Sequence, residues 1–321
     1  MSQKLAFVFP GQGSQSVGML NSFIAEQPQI VDSICQEAAD VLGYDIAALI
    51  AHDSEQKLDQ TIYTQPALLT AGYIAWKIWQ SECSEQPVLM AGHSLGEYTA
   101  LVCAGAMTFA EGLKLVTKRG ELMQNAVAPG VGAMAVILGL DLNIITDICN
   151  NVGAGLRAGP VGNLGTADVL VQPANLNAPG QIVIAGMADA VELAINKAKA
   201  AGAKRAIMLP ISVPSHCALM RPAAENFASH LTAVDWKKTW VPVVHNFDVV
   251  AHTNALDIIN ALQKQLFSPV RWIETVEYFV AQGVTEIVEC GPGKVLTGLN
   301  KRIATAINSR AITESLGAGL C

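Results

Sequence analysis

Short apolar runs alternate with longer segments of helical periodicity along most of the chain. The short runs predict buried strands, and the longer segments predict helices. The predicted strands cover residues 4–9, 88–90, 132–140, 169–175, 181–185, 205–209, 241–244 and 286–290. The predicted helices cover residues 66–79, 97–104, 110–124, 143–150, 188–201, 222–232, 255–265 and 272–282. This alternation favours an α/β fold with a parallel sheet.

The order of the predicted elements changes between residues 129 and 212. There it reads βαββαβ, the order of a ferredoxin-like unit, with a turn at residues 177–180. We therefore expect a small ferredoxin-like domain, residues 129–212, inserted into a larger α/β domain made of residues 1–128 and 213–321. Five glycines between residues 153 and 168 predict a mobile loop.

Composition narrows the class of protein. The chain has 321 residues, of which 51% are hydrophobic and 15% charged, so it can bury a large core. The first apolar run is too short for a secretion signal and Lys77 interrupts the longest one, so we expect no export and no membrane span. A net charge of −7 disfavours nucleic-acid binding. Seven scattered cysteines predict reduced thiols in the cytoplasm, and six histidines without ligand spacing predict no metal.

The most informative motif is Gly92-His93-Ser94-Leu95-Gly96, which follows a predicted strand and precedes a predicted helix. Such a G-x-S-x-G elbow is the nucleophile turn of α/β hydrolases, so the larger domain is interpreted as α/β-hydrolase-like. The elbow would expose the Ser94 hydroxyl and point the backbone N–H of Leu95 at developing negative charge. The alternative is a tight turn without chemistry.

A serine hydroxyl needs a base before it can attack. His216 is the candidate, although a lone histidine is often a core or capping residue. His93 adjoins the nucleophile, but neighbouring residues on a turn point apart. The loop that holds Gln12 follows the first predicted strand and would reach the same sheet edge as Ser94. Its backbone N–H is the second candidate oxyanion donor.

Arg119 lies in the middle of the apolar face of its predicted helix. Burying a guanidinium without a partner is costly, so either an internal carboxylate or a ligand must pair with it. A bidentate clamp on a substrate carboxylate is the more specific hypothesis. The sequence leaves both alternatives open.

The chain resembles the bacterial malonyl-CoA:acyl carrier protein transacylases over nearly its whole length, because a series of motifs occurs in the same order as in that family. The motifs are Phe9-Pro10-Gly11-Gln12-Gly13-Ser14-Gln15, Thr64-Gln65-Pro66-Ala67, Gly92-His93-Ser94-Leu95-Gly96-Glu97, Arg119, Asn177 with Pro179-Gly180-Gln181, Pro214-Ser215-His216, Gln265 with Pro269-Val270-Arg271-Trp272, and Gly291-Pro292-Gly293-Lys294. One departure is the segment 153–168, which looks longer than the usual connection in that family.

The resemblance implies a catalytic dyad of Ser94 and His216. It implies that Arg119 binds the malonyl carboxylate and that the backbone carbonyl of Gln265 orients the histidine in place of a triad aspartate. By the same resemblance, the backbone amides of Gln12 and Leu95 form the oxyanion hole. Asn177 is a possible substrate-binding residue.

The implied activity is malonyl transfer from malonyl-CoA to the phosphopantetheine thiol of acyl carrier protein, through a malonyl-serine ester with ping-pong kinetics. We expect a cytoplasmic monomer of fatty-acid synthesis that binds no tight cofactor, no nucleic acid and no membrane. Three alternatives stay open. They are a trans-acting polyketide acyltransferase, a serine hydrolase or thioesterase with the triad order Ser94, Asp168, His216, and a non-catalytic scaffold that binds acyl carrier protein.

Overall fold

The computed structural model describes residues 4–157, 170–211, 213–317 and 319. Its strands are β1 (Leu5–Phe9), β2 (Leu89–Gly92), β3 (Gly132–Leu138), β4 (Val171–Ala178), β5 (Gln181–Met187), β6 (Arg205–Met208), β7 (Val243–Val244), β8 (Glu286–Glu289) and β9 (Asn308–Ala311). Its helices are α1 (Asn21–Glu26), α2 (Pro28–Leu42), α3 (Ile46–His52), α4 (Thr61–Glu82), α5 (Gly96–Cys103), α6 (Phe109–Gln124), α7 (Leu142–Arg157), α8 (Ala188–Ala200), α9 (Arg221–Thr232), α10 (Ala255–Gln265), α11 (Trp272–Ala281) and α12 (Val295–Ile303).

The larger sheet has five parallel strands in the order β7-β2-β1-β8-β9. Every residue of the central strand β1 is buried, as expected for a parallel sheet covered by helices on both faces. Phe9 at the end of β1 is in register with Gly92 at the end of β2. The turns that follow these two strands therefore meet at the carboxyl edge of the sheet.

The smaller sheet has four antiparallel strands in the order β4-β5-β3-β6. Helices α7 and α8 pack against it and form a separate apolar core with it. Strand β4 also bridges to the larger part of the molecule, because the N–H of Leu176 donates to the carbonyl of Val270 at 2.9 Å. The return bond runs from the N–H of Val270 to the carbonyl of Ala174 at 2.9 Å. Backbone hydrogen bonds thus tie the smaller sheet to the segment that precedes α11.

The predicted α/β fold with a parallel sheet is confirmed, and several boundaries differ. Helix α4 begins at Thr61, so Pro66 lies inside the helix instead of in its first turn. A proline at this position removes one backbone donor, which disfavours the helical turn that precedes it. Packing overrides this, because Gly120 of α6 lies so close that an added Cβ would be 2.9 Å from the carbonyl oxygen of Thr61.

Three further boundaries differ from the predictions. Helix α7 continues to Arg157, so residues 153–157 are helical, and the rest of the predicted 153–168 loop lies outside the described residues. Strand β4 continues to Ala178, which shortens the predicted turn to two residues and places Asn177 in the strand. Strand β7 is shorter than predicted because Pro242 lacks a donor, although its carbonyl accepts the N–H of Met90.

Three helices between residues 21 and 52, the helix α12 and the strand β9 were not predicted. Helix α2 carried recognisable end signals, with Pro28 at its first position and Gly43 at its end with a φ of +77°. In the described part of the chain, no helix is both long and apolar enough to cross a membrane. Among the described residues, five cysteines carry free thiols: Cys35, Cys103, Cys149, Cys217 and Cys290.

Candidate active site

The nucleophile elbow connects β2 to α5 and carries Ser94 at its apex. Ser94 has a φ of +53°, in the left-handed region that non-glycine residues rarely adopt. The flanking glycines are required by packing. A Cβ on Gly92 would lie 1.8 Å from the carbonyl carbon of Gly96, and a Cβ on Gly96 would lie 2.0 Å from the carbonyl oxygen of Phe9. This tight spacing forces the backbone conformation that exposes the Ser94 hydroxyl.

His216 lies in hydrogen-bond contact with this hydroxyl. Its Nε2 is 2.7 Å from the Ser94 Oγ, and its Nδ1 is 2.8 Å from the main-chain oxygen of Gln265. A carbonyl oxygen can only accept, so Nδ1 carries the proton and Nε2 presents a lone pair to the serine. The backbone of His216 is also held, because its N–H donates to the carbonyl of Leu266. The pair has the geometry of a nucleophile and its general base.

The surroundings keep His216 neutral. The pKa of its imidazole is lowered to about 3. Burial is the main cause, and the nearby positive charge of Arg119 is the second. His216 is only 2% exposed, so water does not solvate the imidazolium form. At neutral pH the ring is therefore ready to accept the serine proton.

Arg119 points from α6 towards the same hydroxyl. Thr108 and Glu111 begin this helix with a capping box, and Arg119 emerges three turns later on its buried face, 1% exposed. Its Nη2 donates to the Ser94 Oγ at 3.2 Å and to the Gln265 Oε1 at 2.9 Å. Nη1 donates to the side-chain oxygen of Gln65 at 2.9 Å. The guanidinium thus lies beside the nucleophile.

No carboxylate of the described residues forms an ion pair with Arg119. Its hydrogen-bond partners are neutral, and its Nε is buried without a partner. Burial lowers the pKa of the guanidinium from its usual value. A buried guanidinium that is surrounded by neutral groups still lacks a negative partner. This favours pairing with a substrate carboxylate over an internal ion pair.

One candidate oxyanion donor belongs to the elbow, and the other belongs to the loop that packs on it. Leu95 directly follows Ser94, and the loop after β1 packs on the elbow so closely that a Cβ on Gly11 would be 2.3 Å from the carbonyl oxygen of His93. Gln12 is the next residue of that loop. Among the described residues, the backbone N–H groups of Gln12 and Leu95 donate to no protein acceptor. Both donors remain available to a developing oxyanion.

The structure adds side-chain contacts that were not predicted from the sequence. The Asn246 side chain accepts the N–H of Ser94 at 2.7 Å and donates to the carbonyl of Gly92 at 2.7 Å, so it clamps both sides of the elbow. The Gln265 side chain donates to the carbonyl of Ser94 at 2.9 Å. Behind both lies the fully buried carboxylate of Glu97. A polar layer thus supports the strained turn.

Other candidate residues lie away from the dyad. Asn177, in β4, places its side-chain oxygen 2.8 Å from the Nε2 of His93 and contacts neither Ser94 nor His216 through a hydrogen bond of the described residues. The turn at residues 291–294 is a strand-to-helix connection, because the Glu289 carboxylate accepts the N–H groups of Leu296 and Thr297 at the start of α12. Asp168, the third member of the alternative hydrolase triad, lies outside the described residues.

Comparisons with known proteins agree with this geometry. Residues 6–311 match the model of the acyl transferase domain. A malonyl CoA-acyl carrier protein transacylase of Salmonella typhimurium is 50% identical over 311 residues, which cover 97% of this chain and 96% of that protein. The protein of the same name from Bacillus subtilis is 43% identical over 311 residues, with 97% and 94% covered.

Solved structures show the same similarity. The malonyl CoA-acyl carrier protein transacylase of Coxiella burnetii superposes with a TM-score of 0.91 at 48% identity, covering 98% of this chain and 95% of that one. A type II PKS acyl-carrier protein has been solved in complex with its malonyl-transacylase. That complex gives a TM-score of 0.91 at 48% identity, with 97% and 96% covered.

Proposed function

The chain belongs to the acyl transferase domain family, and we propose that it transfers malonyl groups from malonyl-CoA to the phosphopantetheine thiol of acyl carrier protein for fatty-acid synthesis. The observation that carries this proposal is the buried cation of Arg119, 3.2 Å from the Ser94 Oγ and paired with no carboxylate of the described residues. An acyl group that ends in a carboxylate supplies the missing charge. The names of the relatives point to the same acyl group.

In the first half-reaction the Ser94 Oγ attacks the thioester carbonyl while Nε2 of His216 takes its proton. The tetrahedral oxyanion accepts hydrogen bonds from the N–H groups of Leu95 and Gln12. Collapse of this intermediate breaks the carbon–sulfur bond, and the departing coenzyme A thiolate takes the proton from His216. The product is a malonyl ester on Ser94.

The second half-reaction reverses these steps with a different thiol. His216 takes the proton of the phosphopantetheine thiol, whose sulfur attacks the ester carbonyl. The carbon–oxygen bond breaks, and the proton returns from His216 to the Ser94 oxygen. Because coenzyme A leaves before acyl carrier protein reacts, the kinetics are ping-pong.

A second candidate function uses the same chemistry in another pathway. One of the similar solved structures pairs a malonyl-transacylase with a type II PKS acyl-carrier protein, so supply of malonyl groups to polyketide synthesis is the alternative. A serine hydrolase is less well supported, because Nδ1 of His216 donates to the Gln265 carbonyl instead of a carboxylate.

We propose that residues 129–212 form a ferredoxin-like domain inserted into an α/β-hydrolase-like domain of residues 1–128 and 213–321. The element order β3-α7-β4-β5-α8-β6 and the strand order β4-β5-β3-β6 support the smaller domain. The strand-to-helix elbow on a parallel sheet supports the larger one. We further propose that Asn177 contributes to the substrate-binding surface where the two meet, since it contacts His93 beside the nucleophile.

We also propose that the protein works as a cytoplasmic monomer without a tightly bound cofactor. Both half-reactions use only side chains and backbone amides of this chain, which supports the absence of a resident cofactor. Its partners are then a coenzyme A thioester and acyl carrier protein, with no nucleic acid and no membrane.

Intact-mass spectrometry after mixing with malonyl-CoA tests the proposed function. We expect a malonyl adduct that peptide mapping places on Ser94 and that disappears when acyl carrier protein with its phosphopantetheine thiol is added. The acyl carrier protein should gain the malonyl group in equal amount. Release of free malonate in place of transfer would identify a hydrolase instead.

The pH dependence of acylation follows from the environment of His216. The active base is the neutral imidazole, and burial with the nearby Arg119 charge lowers its pKa to about 3. We therefore expect kcat/KM for malonyl-CoA to stay level from about pH 8 down to about pH 5, where an ordinary histidine would already be protonated. Circular dichroism over the same range checks that the fold persists. An acid limb centred near pH 6.5 would contradict this expectation.

A further inference from the structure

Two opposite charges are buried close to the nucleophile without touching each other. Arg119 is 1% exposed and Glu97 is fully buried. The carboxylate of Glu97 contacts Nδ1 of His245 through Oε1 and accepts the backbone N–H of Asn246 through Oε2. These contacts fix the carboxylate beneath the elbow.

A single amide joins the two charges. The Nη2 of Arg119 donates to the Oε1 of Gln265 at 2.9 Å, and the Nε2 of Gln265 donates to the Oε2 of Glu97 at 2.8 Å. A guanidinium only donates hydrogen bonds, and a carboxylate accepts them. The Gln265 amide is therefore oriented at both ends, since reversing it would set two donors together at Arg119 and two acceptors together at Glu97.

Unlike a direct ion pair, this arrangement does not place a carboxylate on the N–H donors of Arg119. A carboxylate bound directly to Arg119 would occupy the donors that a substrate carboxylate needs. With the amide between them, Glu97 offsets part of the unfavourable burial of the cation, while no carboxylate of the described residues is bound directly to the Arg119 donors. The guanidinium is held in place and remains available.

We propose that Glu97 is a positioning residue that acts through the Gln265 amide to hold Arg119 ready for carboxylate-bearing acyl groups. This inference rests on the proposed function. It assigns to the Glu97 carboxylate a part of the acyl selectivity, although its hydrogen-bond partners are His245, Asn246 and Gln265 and include neither a dyad side chain nor the guanidinium.

The substitution Glu97→Gln tests this role, because it keeps the volume and removes the charge that orients the Gln265 amide. We expect the malonyl-to-acetyl ratio of kcat/KM to fall by about 10-fold, the size of a coupling through one intermediate residue. The adduct on Ser94 should still form. An unchanged or raised malonyl-to-acetyl ratio would overturn the proposal. This holds also if the malonyl and acetyl rates both fall by the same factor, since the ratio is then unchanged.

Glu289→Gln is the matched control. Glu289 is also fully buried. It ends β8, and its carboxylate accepts two backbone N–H groups at the start of α12, away from the dyad and from Arg119. This variant should leave the ratio unchanged even if it lowers stability. An equal fall of the ratio in Glu289→Gln would show that the effect of Glu97→Gln is only structural.

If Glu97→Gln does not fold, Gln265→Met provides the second test. Methionine keeps the backbone carbonyl that accepts from His216 and removes the amide between the charges, together with its hydrogen bond to the Ser94 carbonyl. The same fall in ratio is expected, and a preserved ratio would refute the amide link. Failure of the proposed function is distinguishable, because the wild-type protein would then show no malonyl adduct and no preference for malonyl-CoA over acetyl-CoA.

Discussion

The variant Ser94→Ala is expected to form no malonyl adduct and to transfer malonyl groups at least about 10³-fold more slowly than the wild-type protein. The Ser94 Oγ is the hydroxyl that hydrogen-bonds to the Nε2 of His216, and no other side-chain hydroxyl in the described part of the chain does so. Without it the base has no nucleophile to activate. Intact mass after mixing with malonyl-CoA and the steady-state transfer rate measure the two effects.

Ser215→Ala is the control for this result. Ser215 precedes the base His216 in the chain, and its hydroxyl donates only to the carbonyl of Val213, at 3.5 Å. This variant should keep both the adduct and the transfer rate. An adduct of undiminished yield in Ser94→Ala would show that another residue is acylated, and the dyad assignment would then fail.

The elbow could be predicted from the sequence because its determinants are local. Gly92 and Gly96 are within the same short turn, and each is required by a backbone contact that leaves no space for a Cβ. The meeting of Gln12 with this elbow could also be expected. Loops that follow neighbouring parallel strands reach the same edge of a sheet. The sequence did not show that β1 and β2 are neighbours; the structure does.

The burial of Arg119 followed from helical periodicity, whereas its partners did not. The sequence offered an internal carboxylate or a ligand. The structure shows two neutral amides, Gln65 from α4 and Gln265 from α10, at 2.9 Å each. These residues are 54 and 146 positions away in the chain, so only the tertiary packing of three helices brings them together.

Glu97 and Asn246 were the most informative omissions. Glu97 was given no role beyond its place in the elbow motif, yet all eight residues of α5 are buried, and a carboxylate in such a helix needs buried donors. Asn246 follows β7, the strand beside β2. A polar residue just past the carboxyl end of a neighbouring parallel strand is a signal that sequence reasoning could have used.

The variant Arg119→Ala should reverse the preference between malonyl-CoA and acetyl-CoA. Removing the guanidinium leaves the malonyl carboxylate desolvated without a partner, a loss of about 2–5 kcal/mol for a buried charge pair. The malonyl rate should therefore fall by more than about 30-fold. Acetyl-CoA carries no such carboxylate, so its transfer should be spared or improved. The measurement is kcat/KM for both thioesters in both proteins.

Lys118→Ala separates this effect from a general loss of charge on α6. Lys118 is the preceding residue, its side chain is 34% exposed, and it pairs with Glu121 on the outer face of the helix. Its removal should leave the malonyl-to-acetyl ratio as in the wild-type protein. If Arg119 were instead a structural residue, its loss would lower the melting temperature and both activities together, and the ratio would stay constant. A constant ratio in Arg119→Ala would therefore exclude the carboxylate clamp, and the role inferred for Glu97 would fall with it.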